Sequence, residues 1–575
     1  MASNSQARRV GIALRVVDDA WEEARRGSYI QQNLGLLPTR LPDLSFAEAA
    51  RKAEVGRSLL TRADAVDLDE LPHDLALSLR LVRWRAGIWA REAEWYWIVC
   101  DPLGAGFFGM FLPTAYCGGF LLKFVHATIQ SFRFQDTGDL DRYLGFVADY
   151  ARMIEQMRER TAGQGERGMR MPVPQIAAAR ALITGFKGQM RSLWHVTPER
   201  LGSLDAPGFS AEVERRIDQR IDPAFASLLA LFDDDYLAKA PAGVGIGQYA
   251  GGAEIYESLV RVHTTQELSP QQVFAAGHAR MAQIEAQMAS LRRELGFEGD
   301  GVAFLASIAA EPRWRAETPS AIATVFQRYI DRLRPRFNDL FRTAPTAGYG
   351  VEPLPEALQG SMTFGYYDAP RPDRNAGLYL FNSANLSRQP LHNVAALNYH
   401  ELVPGHHLHL ATQRENVALH PFRSHSFVNA FNEGWAEYAA TLAGEVGMYE
   451  QPEERYGRLV MDAFLTCRLV VDTGMNALGW TLEQARDYMR EHSGMSETEI
   501  RSETLRYSCD IPGQSLAYKL GDTRMLELRE HMRASLGTRF DIRDFHEAVL
   551  GPGSLPLDDL AWHIERETAR LARAH

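Results

Sequence analysis

"ALNYHELVPGHHLHLATQ" (residues 396–413) decides how the chain is read. It opens as a zinc-protease helix does, with His400 and Glu401 adjacent, and such a helix carries its second histidine four residues after the first. Position 404 holds Pro404 instead, and the next histidines are His406 and His407. In a straight helix, residues six apart differ by about 240° and rise about 9 Å, whereas residues seven apart share a face but stand about 10.5 Å apart. Two imidazole nitrogens on one zinc each sit about 2.0–2.1 Å from the metal, hence within about 4 Å of each other. Neither pairing works on an unbroken helix. A proline cannot donate to the carbonyl four residues back, here that of His400, and its ring collides with it. Gly405 then permits backbone angles closed to other residues. A kink or bulge at Pro404–Gly405 absorbs the two extra residues and brings a histidine beside His400. Without a metal, His392, His400, His406, His407 and His409 make a polar helix face.

Outward from this stretch, "FVNAFNEGWAEYAATLAGE" (427–445) reads as a helix with Glu433 and Glu437 one turn apart on one face. Glu433 is a candidate third metal ligand. Glu437 is a candidate partner for the far nitrogen of a ligating histidine. Their neighbours Phe427, Val428, Phe431, Trp435 and Tyr438 are apolar, a setting in which an unpaired carboxylate is costly. Solvated surface acids would have no need of such surroundings. Upstream, "GSMTFGYYDAP" (360–370) and "AGLYLFNSANL" (376–386) are short β-prone runs around the turn-like "RPDRN". Pro390 suits the first turn of the helix that leads to His400.

The rest of the chain bounds the answer. Of 575 residues, 46% are hydrophobic and 23% charged, the balance of a soluble globular protein. A net charge of −11 argues against a nucleic-acid footprint. Cys100, Cys117, Cys467 and Cys509 lie far apart with no CxxC pair, which fits a reducing compartment. The N-terminus lacks the apolar run of a signal peptide, so the expected location is cytoplasmic. "PLGAGFFGMFLPTAYCGGFLL" (102–122) is uncharged and nearly long enough to span a bilayer, but its five glycines and two prolines suit a buried loop and helix lining a cleft. Helical periodicity dominates, as in residues 74–99, 139–160 and 269–295. The expected fold is mainly α, with a small β-sheet beside the HE helix. An N-terminal helical half (1–240) is expected to cover the cleft of a catalytic half (241–575), in one unit without a flexible linker.

"HELVPGHHLH" followed by "NEGWAEYA" resembles the bacterial family called domain of unknown function 885, whose hallmark is HExxPGH. Residues 253–277, 506–521 and 157–176 resemble further landmarks of that family, so the likeness runs from about 130 to about 535. A more distant resemblance is to gluzincins such as angiotensin-converting enzyme and the Taq carboxypeptidase family, which are mostly helical with a deep cleft. The resemblance implies a zinc metallopeptidase with His400, His406 and Glu433 as ligands and Glu437 behind them. It favours His406 over His407, because the family motif ends at that histidine. It also implies an oxyanion-binding tyrosine from a C-terminal segment, for which Tyr518 is preferred to Tyr507.

Three protein ligands leave zinc a position for water, whose pKa the metal lowers toward neutrality. Glu401 beside a ligand is then the expected general base. The strand near 360–367 is expected to pair with an extended substrate backbone. Short peptides are the expected substrates, with no nucleic-acid or membrane partner. The alternatives are a zinc amidohydrolase acting on a non-peptide metabolite, and a non-catalytic binding protein on the same scaffold. The retained Glu401 counts against the last.

Overall fold

Apolar residues at three- and four-residue spacing form helices here, and the helix ends carry their own signals. The computed structural model describes residues 2–354, 364–384 and 391–573. In chain order, the elements that frame the site are α1 (Ala2–Ala24), α2 (Phe46–Asp64), α3 (His73–Trp89), α4 (Phe120–Ser131), α5 (Thr137–Glu166) and α6 (Pro270–Glu294). Then come β1 (Gly348–Pro353), β2 (Gly365–Asp368), β3 (Ala376–Phe381), α7 (Val394–Glu401), α8 (His406–Glu415), α9 (Asn429–Glu445), α10 (Pro452–Ala477), α11 (Ala517–Leu536) and α12 (Leu557–Arg573). The fold is mainly α with a small sheet among the described residues. α6 shows how the sequence sets an end: Ser269 accepts the Gln272 amide, Gln272 accepts the Ser269 amide, and Pro270 takes the first turn. The periodic stretch 74–99 is not one helix. α3 ends at Trp89, where the Arg91 amide bonds to the Ile88 carbonyl in a tighter turn.

The sheet has three strands in the order β1-β3-β2. β2 runs antiparallel to β3, with Tyr367 opposite Tyr379, as the two β-prone runs imply. β1 runs parallel to β3 and has no counterpart in the sequence reading. Its sequence, GYGVEP, dilutes the strand signal with two glycines and a proline. The expected strand start at 360–363 and Pro390 lie outside the described residues. β3 turns Tyr379 and Phe381 inward onto Phe326.

Two cores hold the molecule. One joins Val16, Leu79 and Trp89 of the first helices to Tyr399, Trp435, Tyr438 and Leu560 of α7, α9 and α12. The other surrounds α4 and α5, with Phe132, Phe146, Tyr150 and Trp194, and reaches Leu469 of α10 and Leu516. Both cores draw residues from either side of position 240. The apolar stretch 102–122 is irregular backbone followed by a helical turn (Ala115–Gly119) that leads into α4. No described helix is long and apolar enough to cross a membrane. All four cysteines are free.

α9 and α11 cross at glycines. A Cβ on Gly434 would lie 2.5 Å from the Cα of Gly521, and one on Gly521 would lie 2.2 Å from the Ala430 carbonyl oxygen. Only glycine permits that approach. The crossing sets Tyr518, one turn before Gly521, near Glu433, one residue before Gly434. Behind it, Lys519 of α11 bridges Asp462 of α10 at 2.7 Å and Asp522 at 2.6 Å, all buried.

Candidate metal centre

The HE helix breaks where the proline demands. α7 stops at Glu401, residues 402–405 form a turn, and α8 begins at His406. The Leu402 amide still reaches the Asn398 carbonyl at 2.9 Å, and the ladder resumes with the His407 amide on the Leu402 carbonyl at 3.1 Å. Gly405 has φ −81° and ψ −128°, and a Cβ there would lie 1.9 Å from the His400 carbonyl oxygen, so crowding also selects glycine. Trp435 of α9 fixes the turn from outside, its indole N–H donating to the Pro404 carbonyl at 2.9 Å.

The break brings His400 and His406 together. Their ring centroids are 4.8 Å apart and nearly perpendicular. Glu433 Oε2 lies 3.7 Å from His400 Nε2 and 3.3 Å from His406 Nε2, and the three ligand atoms all lie within 4.8 Å of one another. That oxygen is buried and has no hydrogen-bond partner among the described residues. Its neighbours are the two imidazoles, and a cation shared by the carboxylate and both nitrogens would satisfy all three. Two histidines and a glutamate are also a known donor set for catalytic zinc. The residues fit the metal.

His407 points elsewhere. It accepts from the Tyr367 hydroxyl at Nδ1 (2.8 Å) and donates from Nε2 to the Ala347 carbonyl (3.2 Å), tying α8 to the sheet. Burial pushes its pKa down to about 4. His409 meets Gln413 at 2.9 Å and Ser554 at 3.2 Å, both through Nε2.

Glu437 accepts at 2.9 Å from His400 Nδ1. Its other oxygen accepts from Arg458 of α10 at 3.0 Å. Burial raises both glutamates, but His400 and His406 beside Glu433, and Arg458 and His400 beside Glu437, hold them well below the usual carboxylate range. His400 moves the other way: burial lowers it, but Glu433 and Glu437 push it up to about 10. Glu401 is buried, and burial raises its carboxyl against the pull of His400 and His406.

The two tyrosines part company. The Tyr518 ring stacks 6.1 Å from that of His400, and burial with Glu433 nearby raises its hydroxyl. Tyr507 is fully buried, accepting from Arg468 Nε at 2.7 Å and donating to the Glu503 carboxylate. Tyr518, Glu401 and the three candidate ligands line a cavity of about 510 Å³. Tyr507 is not among its lining residues. Phe107, Tyr116 and Phe120, from the apolar stretch and the start of α4, also line the cavity, and β2 contributes Gly365 to Asp368.

The profile of a family described as a bacterial protein of unknown function, DUF885, matches residues 29–564. The chain belongs to this family. The match extends beyond the stretch that carried the resemblance in the sequence. Among solved structures, this DUF885 protein is similar to one described as "the putative lipoprotein from Colwellia psychrerythraea", with a TM-score of 0.82 and 23% identity over 98% of this chain and 99% of that one. It is also similar to "a putative lipoprotein of unknown function from Shewanella oneidensis", with a TM-score of 0.71 and 18% identity over 96% and 98% of the two chains. At those identities the likeness speaks for the fold. No curated protein matches the chain. The sequence reading of this DUF885 protein missed Arg458 behind Glu437 and the Trp435 clasp. EGWAEY carries the tryptophan, yet an indole in an apolar run signals packing rather than a hydrogen bond.

Proposed function

We propose that this DUF885 protein is a zinc-dependent hydrolase that cleaves amide bonds of short peptides. The observation that carries the reading is the buried Glu433 Oε2 converging with His400 Nε2 and His406 Nε2 at 3.7 and 3.3 Å, a spacing of cation size. His400, His406 and Glu433 would hold the metal. Bound there, zinc supplies Lewis-acid polarisation and makes a nearby water acidic enough to ionise near neutrality.

The chain's own residues then divide the work. Glu401, in the cavity wall and next in sequence to His400, accepts the proton of the attacking water and returns it to the leaving nitrogen. Burial raises its carboxyl, which suits a group that must both take and give a proton. Tyr518 keeps its phenolic proton and donates it as a hydrogen bond to the carbonyl oxygen as charge develops there. Glu437, itself held by Arg458, fixes the His400 ring and its tautomer. The β2 edge offers backbone groups to an extended peptide. A cavity of about 510 Å³ holds a small ligand and excludes a folded chain.

Elemental analysis with a peptide-library digest tests the reading. The expected result is about one zinc per chain and cleavage that a chelator abolishes. Protein that retains no zinc sinks the proposal. Zinc-loaded protein that leaves the whole library intact moves the substrate to non-peptide amides.

A further inference from the structure

The charges lining the cavity are sorted. The metal centre gathers Glu401, Glu433 and Glu437. Along β2 and the outer part of α8 the lining side chains Lys123, Arg371 and Arg414 are cationic, and Asp368 is the acid among them. Asp368 is already engaged, by Arg371 at 3.3 Å and Arg374 at 2.9 Å. Arg414 donates to the Pro370 carbonyl and has no carboxylate partner among the described residues. Lys123 has no hydrogen bond or ion pair among them. Its ammonium instead sits 3.8 Å above the Tyr366 ring, which positions it against the β2 edge. The other cationic pair in the wall, Arg468 and Arg506, differs in that both face Glu503.

A half-buried ammonium without a counter-ion is costly to keep, and burial has pushed Lys123 down to about 8. Within the fold the Tyr366 ring and the charge of Asp368, itself shared with two arginines, offset that cost only in part. A ligand anion would repay it. The spacing is also set. His406, Leu410 and Arg414 lie at i, i+4 and i+8 on α8 and all line the cavity, so Arg414 stands about 12 Å along the helix from His406. An extended peptide covers about 3.3–3.6 Å per residue, so that distance is three to four residues.

Given the peptide-hydrolase reading, we infer that Lys123 and Arg414 form a carboxylate-binding subsite, which receives a substrate carboxylate three to four residues from the bond at the metal centre. The carboxylate is either the free C-terminus of a short peptide or an acidic side chain.

Calorimetric titration of the protein as purified with three N-acetylated pentapeptides tests this, since binding is read whether or not cleavage follows. One ends in a free acid, one is its amide, and one is the amide with a single internal glutamate. The free acid is expected to bind at least about tenfold tighter than the amide, with Lys123→Gln reducing the ratio toward one and Lys123→Arg restoring it. Tight binding of the glutamate peptide instead assigns the side-chain source. Equal affinity for all three, a preference that Lys123→Gln leaves intact, or no binding by any of them overturns the subsite. A carboxylate preference in protein that cleaves nothing keeps the subsite and rejects the hydrolase, whereas cleavage without preference does the reverse.

Discussion

Glu401 and Tyr518 act on different atoms of one transition state, which makes them separable at the residue scale. Glu401→Gln preserves size and leaves the ligand set alone, so hydrolysis should fall by about 10²–10⁴-fold while zinc content is unchanged. Tyr518→Phe removes one donor to the developing oxyanion, at a cost of about 10²–10³-fold in turnover with little change in substrate binding. Steady-state kinetics beside elemental analysis reads both, and full activity in Glu401→Gln would end the proposed mechanism. The choice of histidine is tested by metal content: His406→Ala should lose the metal and His407→Ala should keep it, because the His407 nitrogens are spent on Tyr367 and Ala347. Loss of zinc only in the His407 variant would reverse the assignment. At this scale much could be read in advance. Histidine and glutamate in paired clusters are rare enough to announce chemistry. Lys123 could not be found that way, because what marks it is the absence of a partner, which only the folded chain shows.

A helix break is legible in sequence as a necessity, but not as a shape. Pro404 said that α7 could not continue, and the six-residue spacing said that something had to close the gap. What closes it is tertiary: the Trp435 indole on the Pro404 carbonyl, and a hydrogen-only contact between Gly405 and the His400 carbonyl. Trp435→Phe keeps most of the packing and deletes that hydrogen bond, so metal affinity should fall by about 10–100-fold, as for other supports of ligand geometry. Competition with a chelator of known affinity measures it, and unchanged affinity would make the tryptophan a packing residue only. The α9–α11 crossing sets a second test. Gly434→Ala drives a methyl against the Gly521 backbone, an overpacking that costs at least about 1–3 kcal/mol. Denaturant unfolding should show the loss, together with reduced turnover as Tyr518 is pushed from His400. β1 illustrates the limit of local signals, since its glycines and proline form a strand only because β3 is there to pair with it.

At the scale of the whole molecule, helix content and the small sheet follow from periodicity, whereas the sharing of cores does not. Helices of the first 89 residues pack with the helices that carry the candidate metal ligands, and residues between 103 and 127 line the same cavity as those ligands. The cavity is thus a property of distant segments, and so is its charge pattern. A pH prediction follows. The Lys123 ammonium sits over the Tyr366 ring and feels the charge of Asp368, both of β2, and Tyr29, Arg371 and Arg414 line the same cavity. Burial raises the hydroxyls of Tyr29 and Tyr366 and brings Lys123 down to about 8, so the Lys123 ammonium is the group that changes charge near that pH. Its charged form binds the carboxylate. Affinity for an N-acetylated free-acid peptide should therefore be full below about 8 and decline as pH rises through that value, while the matching amide changes little. Folding responds with the opposite sign. Because the folded pKa lies below the ordinary 10.5, the unfolded chain holds the proton longer, and stability rises between about 8 and 10.5. Lys123→Gln should erase both slopes. Calorimetric titrations and denaturant unfolding across that range check the pair. An acid-peptide affinity that is flat through pH 8, with the stability slope still present, would show that Lys123 titrates as described but does not hold the ligand.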